Sequence, residues 1–237
     1  VVKPQIAFFE QLGWRGVRLL HEIVNRARSA GLLVVLDAKR GDIGSTAAGY
    51  ARAYLGPDAP LPVDALTVYP YLGADSLAPF IEAARAGGSG LFVLVRTSNP
   101  GSSDVQDLCA DDEPVYARVA RMLAPLGESL RGATGWSSLG VVVGATFPEP
   151  AARVRKLLPH APLLVPGYGA QGGSARDAVR AFVRGEGGRL EGGLVNASRS
   201  ILFPPDGAAA TDAKSWERAV DAALDRAINE LRDAIAG

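Results

Sequence analysis

The chain alternates between short apolar runs and longer segments in which apolar residues recur at helical spacing. A short apolar run bounded by glycine or proline predicts a buried strand, and helical spacing predicts an amphipathic helix. The predicted strands cover residues 32–37, 64–68, 91–95, 139–144, 162–165 and 193–196, with residues 1–5 as the tail of one more. The predicted helices cover residues 6–30 (interrupted at Gly13 and Gly16), 43–55, 75–86, 113–130, 149–158, 175–184 and 212–236. This alternation predicts a parallel sheet with helices packed outside it.

Polar or charged residues follow nearly every predicted strand at its C-terminal end. That placement is typical of a (β/α)8 barrel (a TIM barrel), whose functional residues lie on the loops after the strands, and it favours the barrel over an open, doubly wound α/β sheet. The length of 237 residues is close to the ~250 of such a barrel. The predicted strands are one fewer than a closed barrel needs, and the chain begins with Val1 rather than Met. We therefore expect one α/β domain over residues 1–237, a (β/α)8 barrel whose first strand and helix are missing from this chain.

Composition narrows the possible partners and location. A hydrophobic content of 48% supports a large core, and a formal net charge of zero argues against a nucleic acid or an anionic membrane as partner. No apolar run approaches the ~18 residues of a membrane span, and no signal peptide precedes the first strand. The single Cys109 cannot form an internal disulfide and suits a reducing compartment. The sequence thus predicts a cytoplasmic protein that binds neither membrane nor nucleic acid.

The most densely charged strand end lies at residues 37–42. Side chains alternate along a strand, so Asp37 and Lys39 are expected to point to the same side, and Asp42 follows at the exit of the strand. Gathering three charges there costs too much desolvation to be incidental packing. Only four of the 25 basic residues are lysines, which indicates that an ammonium group is required at Lys39. We predict that this segment holds the catalytic centre.

The residues of this segment also match a known pattern, Asp-x-Lys-x-x-Asp-Ile-x-x-Thr, which here ends at Thr46. The pattern resembles the signature of the orotidine 5′-phosphate decarboxylase family, and residues 37–46 as a whole resemble its mycobacterial-type branch. The resemblance extends from residue 1 to residue 201. It implies decarboxylation of orotidine 5′-phosphate (OMP) to UMP in de novo pyrimidine biosynthesis, without a cofactor. Lys39 would stabilise and then protonate the carbanion at C6, and Asp37 and Asp42 would keep Lys39 charged.

A second group of candidates binds the substrate. In barrels, phosphate commonly lies on the loops after the last two strands, which here are residues 166–173 and 198–199. Gln171 can donate from its amide and Arg199 from its guanidinium group, and the family resemblance assigns both to the phosphate. The same resemblance assigns Ser98 to the pyrimidine ring, Pro166 to the wall of the ring pocket, and Lys3 to the ribose. It further implies a homodimer in which Asp42, Ile43 and Thr46 reach into the active site of the partner subunit.

Other readings remain at this stage. A Schiff-base aldolase is excluded, because it needs a neutral amine and Lys39 has an aspartate on either side. A Mg²⁺-dependent sugar-phosphate decarboxylase or synthase of the same superfamily shares the Asp-x-Lys-x-x-Asp pattern, and activity that survives EDTA would exclude it. No His, Cys and Asp residues have metal-ligand spacing, so no metal site is predicted.

An inactive, truncated nucleotide-binding barrel is a further reading, because the ribose-binding Asp of the family lies on the missing first strand. Arg96 and Tyr168 are bulkier than the family pattern suggests at those positions.

Overall fold

The computed structural model describes residues 1–236, which gather into two compact units. The first unit contains Val1–Val95, Arg118–Val141 and His160–Pro162, and the second contains the other described residues. The expectation that residues 1–237 form a single domain stays a prediction.

The strands of the described chain fall where apolar runs predict them, apart from two short hairpins. They are β1 (Val35–Arg40), β2 (Ala65–Val68), β3 (Gly90–Arg96), β4 (Cys109–Ala110), β5 (Glu113–Pro114), β6 (Leu139–Val143), β7 (Leu163–Val165), β8 (Val183–Arg184), β9 (Leu190–Glu191) and β10 (Gly193–Val195). The antiparallel hairpins are β4–β5 and β8–β9.

The helices alternate with these strands. They are α1 (Ala7–Glu10), α2 (Gly13–Ser29), α3 (Gly44–Tyr54), α4 (Ala78–Gly87), α5 (Ser103–Gln106), α6 (Val115–Ser129), α7 (Pro148–Leu157), α8 (Ala175–Val179), α9 (Arg199–Leu202), α10 (Pro205–Ala208) and α11 (Ala213–Ala236). Within residues 1–236, no helix is both long enough and apolar enough to cross a bilayer.

In the first unit, β1 pairs in parallel with β2, and β2 pairs in parallel with β3. Leu36 and Leu66 are completely buried at this sheet, and α2 contributes Leu20 and Val24 to the same core. Burial on both faces explains why these strands appear in the sequence as continuous apolar runs.

Several element boundaries in this unit differ from prediction. The predicted strand tail at residues 1–5 forms only isolated parallel bridges to β1 and the residue before it, and Pro4, which has no N–H group, interrupts it. The next strand begins at Val35 rather than residue 32, because Leu32 and Leu33 are 41% and 57% exposed. It also continues to Arg40, so Lys39 belongs to the strand. Gly13 starts α2 as expected, whereas Gly16 lies inside the helix without breaking it.

In the second unit, β7 pairs in parallel with β10, and α8, α9 and α10 contact the long C-terminal helix α11. The buried guanidinium group of Arg155 donates to the carbonyls of Ala181 and Gly192, at 2.9 and 2.6 Å. Burial lowers the pKa of Arg155 to about 10. This side chain joins α7 to the segments on both sides of the β8–β9 hairpin.

The helix predicted at residues 175–184 is too long. A capping box between Ser174 and Asp177 begins α8, but the helix ends at Val179. A turn between Gly185 and Gly188 then reverses the chain into the hairpin. Gly188 has a φ of +73°, a conformation that glycine adopts without steric cost.

Candidate active site

The charged segment at the end of β1 is built on a bulge. Leu36 lies opposite Leu66 and Arg40 lies opposite Val68, so residues 37–39 of β1 face the single residue Thr67 of β2. The backbone of Lys39 takes a φ of +46°, which is uncommon for a residue with a side chain. The bulge, rather than regular strand alternation, therefore sets the directions of Asp37 and Lys39.

The Asp37 carboxylate lies between two ammonium groups. Its Oδ2 accepts a hydrogen bond from Nζ of Lys3 at 2.7 Å, and its Oδ1 accepts one from Nζ of Lys39 at 2.5 Å. Thr67 Oγ1 also donates to Oδ1, at 3.1 Å. The side chains of Asp37 and Lys3 are 12% and 15% exposed, whereas that of Lys39 is 45% exposed. Lys39 is thus anchored at a buried anion with part of its side chain open to solvent.

The electrostatic balance keeps Asp37 ionised. Burial by itself disfavours the carboxylate and raises the pKa of Asp37, but the charge and hydrogen bond of Lys3 and those of Lys39 together outweigh it. The net pKa of Asp37 is lower than that of an ordinary aspartate. Asp37 therefore provides an anion that binds both lysine side chains.

Asp42, the third charge of the segment, does not join this cluster. Its Oδ1 accepts from the backbone N–H of Ile43 at 2.8 Å, and within residues 1–236 it forms no ion pair. The second ion pair of the cluster joins Asp37 to Lys3 instead. The turn after β1 is set by Gly41, where a Cβ would lie 2.6 Å from the Tyr69 ring. Asp42 thus forms no ion pair with Lys39 within the described chain, and its role beside Lys39 stays a prediction.

The other residues assigned to the partner's site are Ile43 and Thr46. Ile43 directly precedes α3, and Thr46 lies in its first turn. Both are exposed, and Ile43 is 58% accessible to solvent. An apolar side chain with this exposure is free to contact another molecule.

Two predicted substrate contacts meet in the second unit. Ser98, in the loop after β3, donates from Oγ to Oε1 of Gln171 at 2.8 Å. Gln171 belongs to the glycine-rich loop 166–173, which also contains Pro166 and is folded by hydrogen bonds between its own backbone groups. At Gly173, a Cβ would lie 2.7 Å from the carbonyl oxygen of Gly167, so the loop closes only with glycine there. Arg199 is exposed and begins α9, after β10.

Arg96 is the main residue of this unit that sequence reasoning misjudged. It is 1% exposed, and its guanidinium group lies 3.6 Å from the centroid of the Phe147 ring. It donates to Asp107 Oδ2 at 2.8 Å and also to Ser102 Oγ. Gln106 binds both the N–H and the hydroxyl of Thr97, at 2.9 and 2.8 Å. Arg96 thus joins β3 to the loop that carries Ser98 through its contacts with Ser102 and Asp107.

Tyr168 has a comparable role in the glycine-rich loop. Its hydroxyl donates to Glu230 Oε2 of α11 at 2.6 Å. Burial, together with the hydrogen bond to Glu230 and its charge, raises the pKa of Tyr168 to about 12. The hydroxyl stays protonated and joins the loop to the C-terminal helix.

Similarity to known proteins identifies the family. Residues 1–213 match the model of the orotidine 5′-phosphate decarboxylase / HUMPS family. The chain belongs to the orotidine 5′-phosphate decarboxylase family. It is 49% identical to the orotidine 5′-phosphate decarboxylase of Rhodopirellula baltica, over 98% of this chain and 78% of that protein.

Solved structures agree with this family assignment. A proposed orotidine 5′-phosphate decarboxylase from Streptomyces avermitilis matches with a TM-score of 0.79 and 43% identity, over 99% of this chain and 76% of that one. The OMP decarboxylase of Leishmania donovani matches with a TM-score of 0.77 and 36% identity, over 99% of this chain and 80% of that one. These matches confirm the predicted (β/α)8 fold class and the predicted enzyme class, a carbon–carbon lyase.

Within each unit, the structure therefore places predicted decarboxylase residues in contact with one another. Lys3, Asp37 and Lys39 form one group, and Ser98 and Gln171 form the other. Thr67 and Arg96 support these groups and were not predicted to do so. Among residues 1–236, no three His, Cys, Asp or Glu side chains are arranged to hold a metal ion.

Proposed function

We propose that this chain decarboxylates OMP to UMP in pyrimidine biosynthesis, with Lys39 as the residue that meets the reacting carbon. The observation that supports this role most directly is the position of Asp37, a buried anion that binds Lys39 and Lys3 at the same time. Spectrophotometric loss of OMP with the purified protein tests the activity, and a folded protein without turnover would contradict it.

The chemistry explains why an ammonium group is needed. When the bond between C6 and the carboxylate breaks, CO₂ leaves and the electron pair stays on C6 in the plane of the ring, where the π system cannot delocalise it. The Lys39 ammonium stabilises this charge electrostatically and then transfers a proton to C6. The neutral amine regains a proton from water, and Asp37 favours its return to the charged form. The proposed reaction is therefore complete without a cofactor.

The remaining residues bind parts of the substrate that do not react. Lys3 binds the ribose, and Ser98 binds the edge of the pyrimidine ring. Pro166 lines the pocket of the ring. Gln171 and Arg199 bind the phosphate. A serine hydroxyl suits a pyrimidine imide because it can donate and accept hydrogen bonds. Binding energy from the distant phosphate can also be used to order the site for reaction.

We expect Arg199→Ala to raise KM for OMP by about 10- to 100-fold, because a hydrogen bond to a charged group contributes about 1.5–3 kcal/mol. The exposed Arg176 of α8 provides a matched control, and Arg176→Ala should leave KM unchanged. Steady-state kinetics with OMP measures both variants. An unaltered KM in Arg199→Ala would remove this residue from phosphate binding.

We further propose that the active unit is a homodimer in which Asp42, Ile43 and Thr46 contribute to the partner's site. The exposure of Ile43 and Thr46, and the lack of an ion-pair partner for the half-buried Asp42 in the described chain, support this assignment. In a two-fold dimer the same surface patch is used by both subunits. Each active site would then combine Lys39 of one subunit with Asp42 of the other.

Mixing two inactive variants tests this arrangement. Lys39→Ala and Asp42→Asn should each have little activity alone, but after subunit exchange a mixed dimer contains one intact site. We expect recovery of up to about one quarter of the wild-type rate, because half of the dimers are mixed and each has one working site. Lys39→Ala protein that is treated in the same way without Asp42→Asn provides the negative control. Subunit exchange without recovery of activity would contradict a shared site.

We place the enzyme in the cytoplasm. The support is one exposed free cysteine, Cys109, which suits a reducing environment. Cell fractionation with an antibody to the chain tests this, and recovery of the protein outside the cytoplasmic fraction would contradict it.

A further inference from the structure

Thr67 lies directly beneath the Asp37–Lys39 segment. It is the polar member of the buried strand β2 and is 1% exposed. Its Oγ1 accepts hydrogen bonds from the backbone N–H groups of Ala38 and Lys39, at 3.0 and 2.8 Å. The same hydroxyl donates to Asp37 Oδ1 at 3.1 Å. One donor and two acceptor positions are all that a hydroxyl has, so Thr67 uses its full capacity.

The bulge explains why a hydroxyl is needed there. In a regular parallel pair, alternate N–H groups of β1 would bind carbonyl groups of β2 in an evenly spaced ladder. Three residues of β1 face only Thr67, and the Asp37 N–H binds the Pro4 carbonyl at 2.9 Å, so the N–H groups of Ala38 and Lys39 bind the Thr67 side chain. A buried N–H group without a partner is costly. The Thr67 side chain replaces the missing carbonyl for Ala38 and Lys39.

We infer that Thr67 is a positioning residue for Lys39, an inference that rests on the catalytic role proposed above for that lysine. Thr67 acts on Lys39 from both ends. Its bond to the Lys39 N–H fixes the backbone in its uncommon conformation, and its bond to Asp37 Oδ1 orients the oxygen that accepts from Lys39 Nζ. A small displacement of a reacting group can cost about 100-fold in rate. Thr67 should therefore determine kcat without contacting substrate.

Thr67→Val tests this inference because valine has nearly the same shape but lacks the hydroxyl. We expect kcat to fall by about 10- to 100-fold while KM for OMP stays within about threefold, because phosphate contacts are untouched. Thr67→Ser restores the hydroxyl and should return kcat to within about threefold of wild type. Should Thr67→Val fail to fold, Thr67→Ala is the second variant, with the same expected fall in kcat.

Ser137 provides a matched control for loss of a structural hydroxyl. It is 4% exposed, donates to the Gly127 carbonyl at 2.7 Å and accepts from the Leu139 N–H at 3.0 Å, at the start of β6. Ser137→Ala should lower the melting temperature and leave kcat and KM unchanged. A Thr67→Val protein that behaves in this way would overturn the inference.

The kinetics of Lys39→Ala separate two kinds of failure. If Lys39→Ala keeps wild-type turnover, the catalytic role of Lys39 is wrong, whatever the Thr67 variants do. If Lys39→Ala is inactive and folded Thr67→Val keeps its kcat, only the positioning role of Thr67 is wrong.

Discussion

Lys39→Ala is expected to lower kcat for OMP by at least about 10⁴-fold. General acid catalysis contributes about 10²–10⁴-fold, and electrostatic stabilisation of developing charge adds a further factor of about 10²–10³. The variant loses both, because the same ammonium group stabilises the carbanion and supplies its proton. A sensitive assay of OMP loss in the purified, folded variant measures the effect.

The fold should survive this substitution. The Lys39 side chain is 45% exposed, so its removal leaves no cavity in the core. Circular dichroism and the melting temperature would verify this. Lys156, an exposed lysine on α7, is the control, and Lys156→Ala should keep full activity. Turnover near wild type in Lys39→Ala would remove Lys39 from the mechanism.

Asp37→Asn should have the second largest effect, a fall in kcat of about 10³-fold. Asparagine preserves the shape of the side chain but removes the charge that binds Lys39 at 2.5 Å and Lys3 at 2.7 Å. The two ammonium groups would then face each other without an anion, and like charges repel. Lys39 would lose the hydrogen bond that holds its Nζ and would be less well oriented toward the substrate. Steady-state kinetics at several pH values measures the loss.

The same variant should unfold more easily at neutral pH. Removing one partner from a buried ion pair costs about 3 kcal/mol of unfolding free energy. The folded pKa of Asp37 is lowered, so its stabilising contribution is present above the pKa of an unfolded aspartate, about 3.9, and is lost as pH falls through the folded pKa. The stability difference between wild type and Asp37→Asn should therefore shrink as pH falls below about 4.

Asp64 offers a matched control for this carboxylate. It accepts from the Val34 N–H at 2.8 Å and pairs with Arg28, but it precedes β2 and takes no part in the lysine cluster. Asp64→Asn should reduce stability and keep kcat. If Asp37→Asn also keeps its kcat, Asp37 is structural only.

Sequence patterns alone predicted the fold class, which the comparisons confirm, and named the candidate site residues. Apolar runs and helical spacing are local properties, so they locate β2, β3 and the long helices to within a few residues. The pattern from Asp37 to Thr46 pointed to the family that the comparisons confirm. Glycines and an arginine after the later strands predicted a phosphate site, because that placement is common to barrels.

Local patterns failed where a distant segment sets the geometry. Regular alternation predicted that Asp37 and Lys39 share one side of a strand, whereas a bulge sets their directions. The same local view grouped Asp42 with Lys39, whereas Asp42 accepts from the Ile43 N–H and forms no ion pair within residues 1–236. It also treated Arg96 as too bulky, because a buried guanidinium group is acceptable only when its partners are known.

By itself, then, the sequence determined which residue types follow each strand, and hence the family and its chemistry. The tertiary structure decided that Lys3 pairs with Asp37 beside Lys39, and that Thr67 supports this cluster. The physical reason is that the pairing of β1 with residues 1–5 and with β2 joins residues 30 or more positions apart, such as Asp37 with Lys3 and with Thr67. The residue pattern within a single strand does not determine such a pairing, because it arises only when the segments come together.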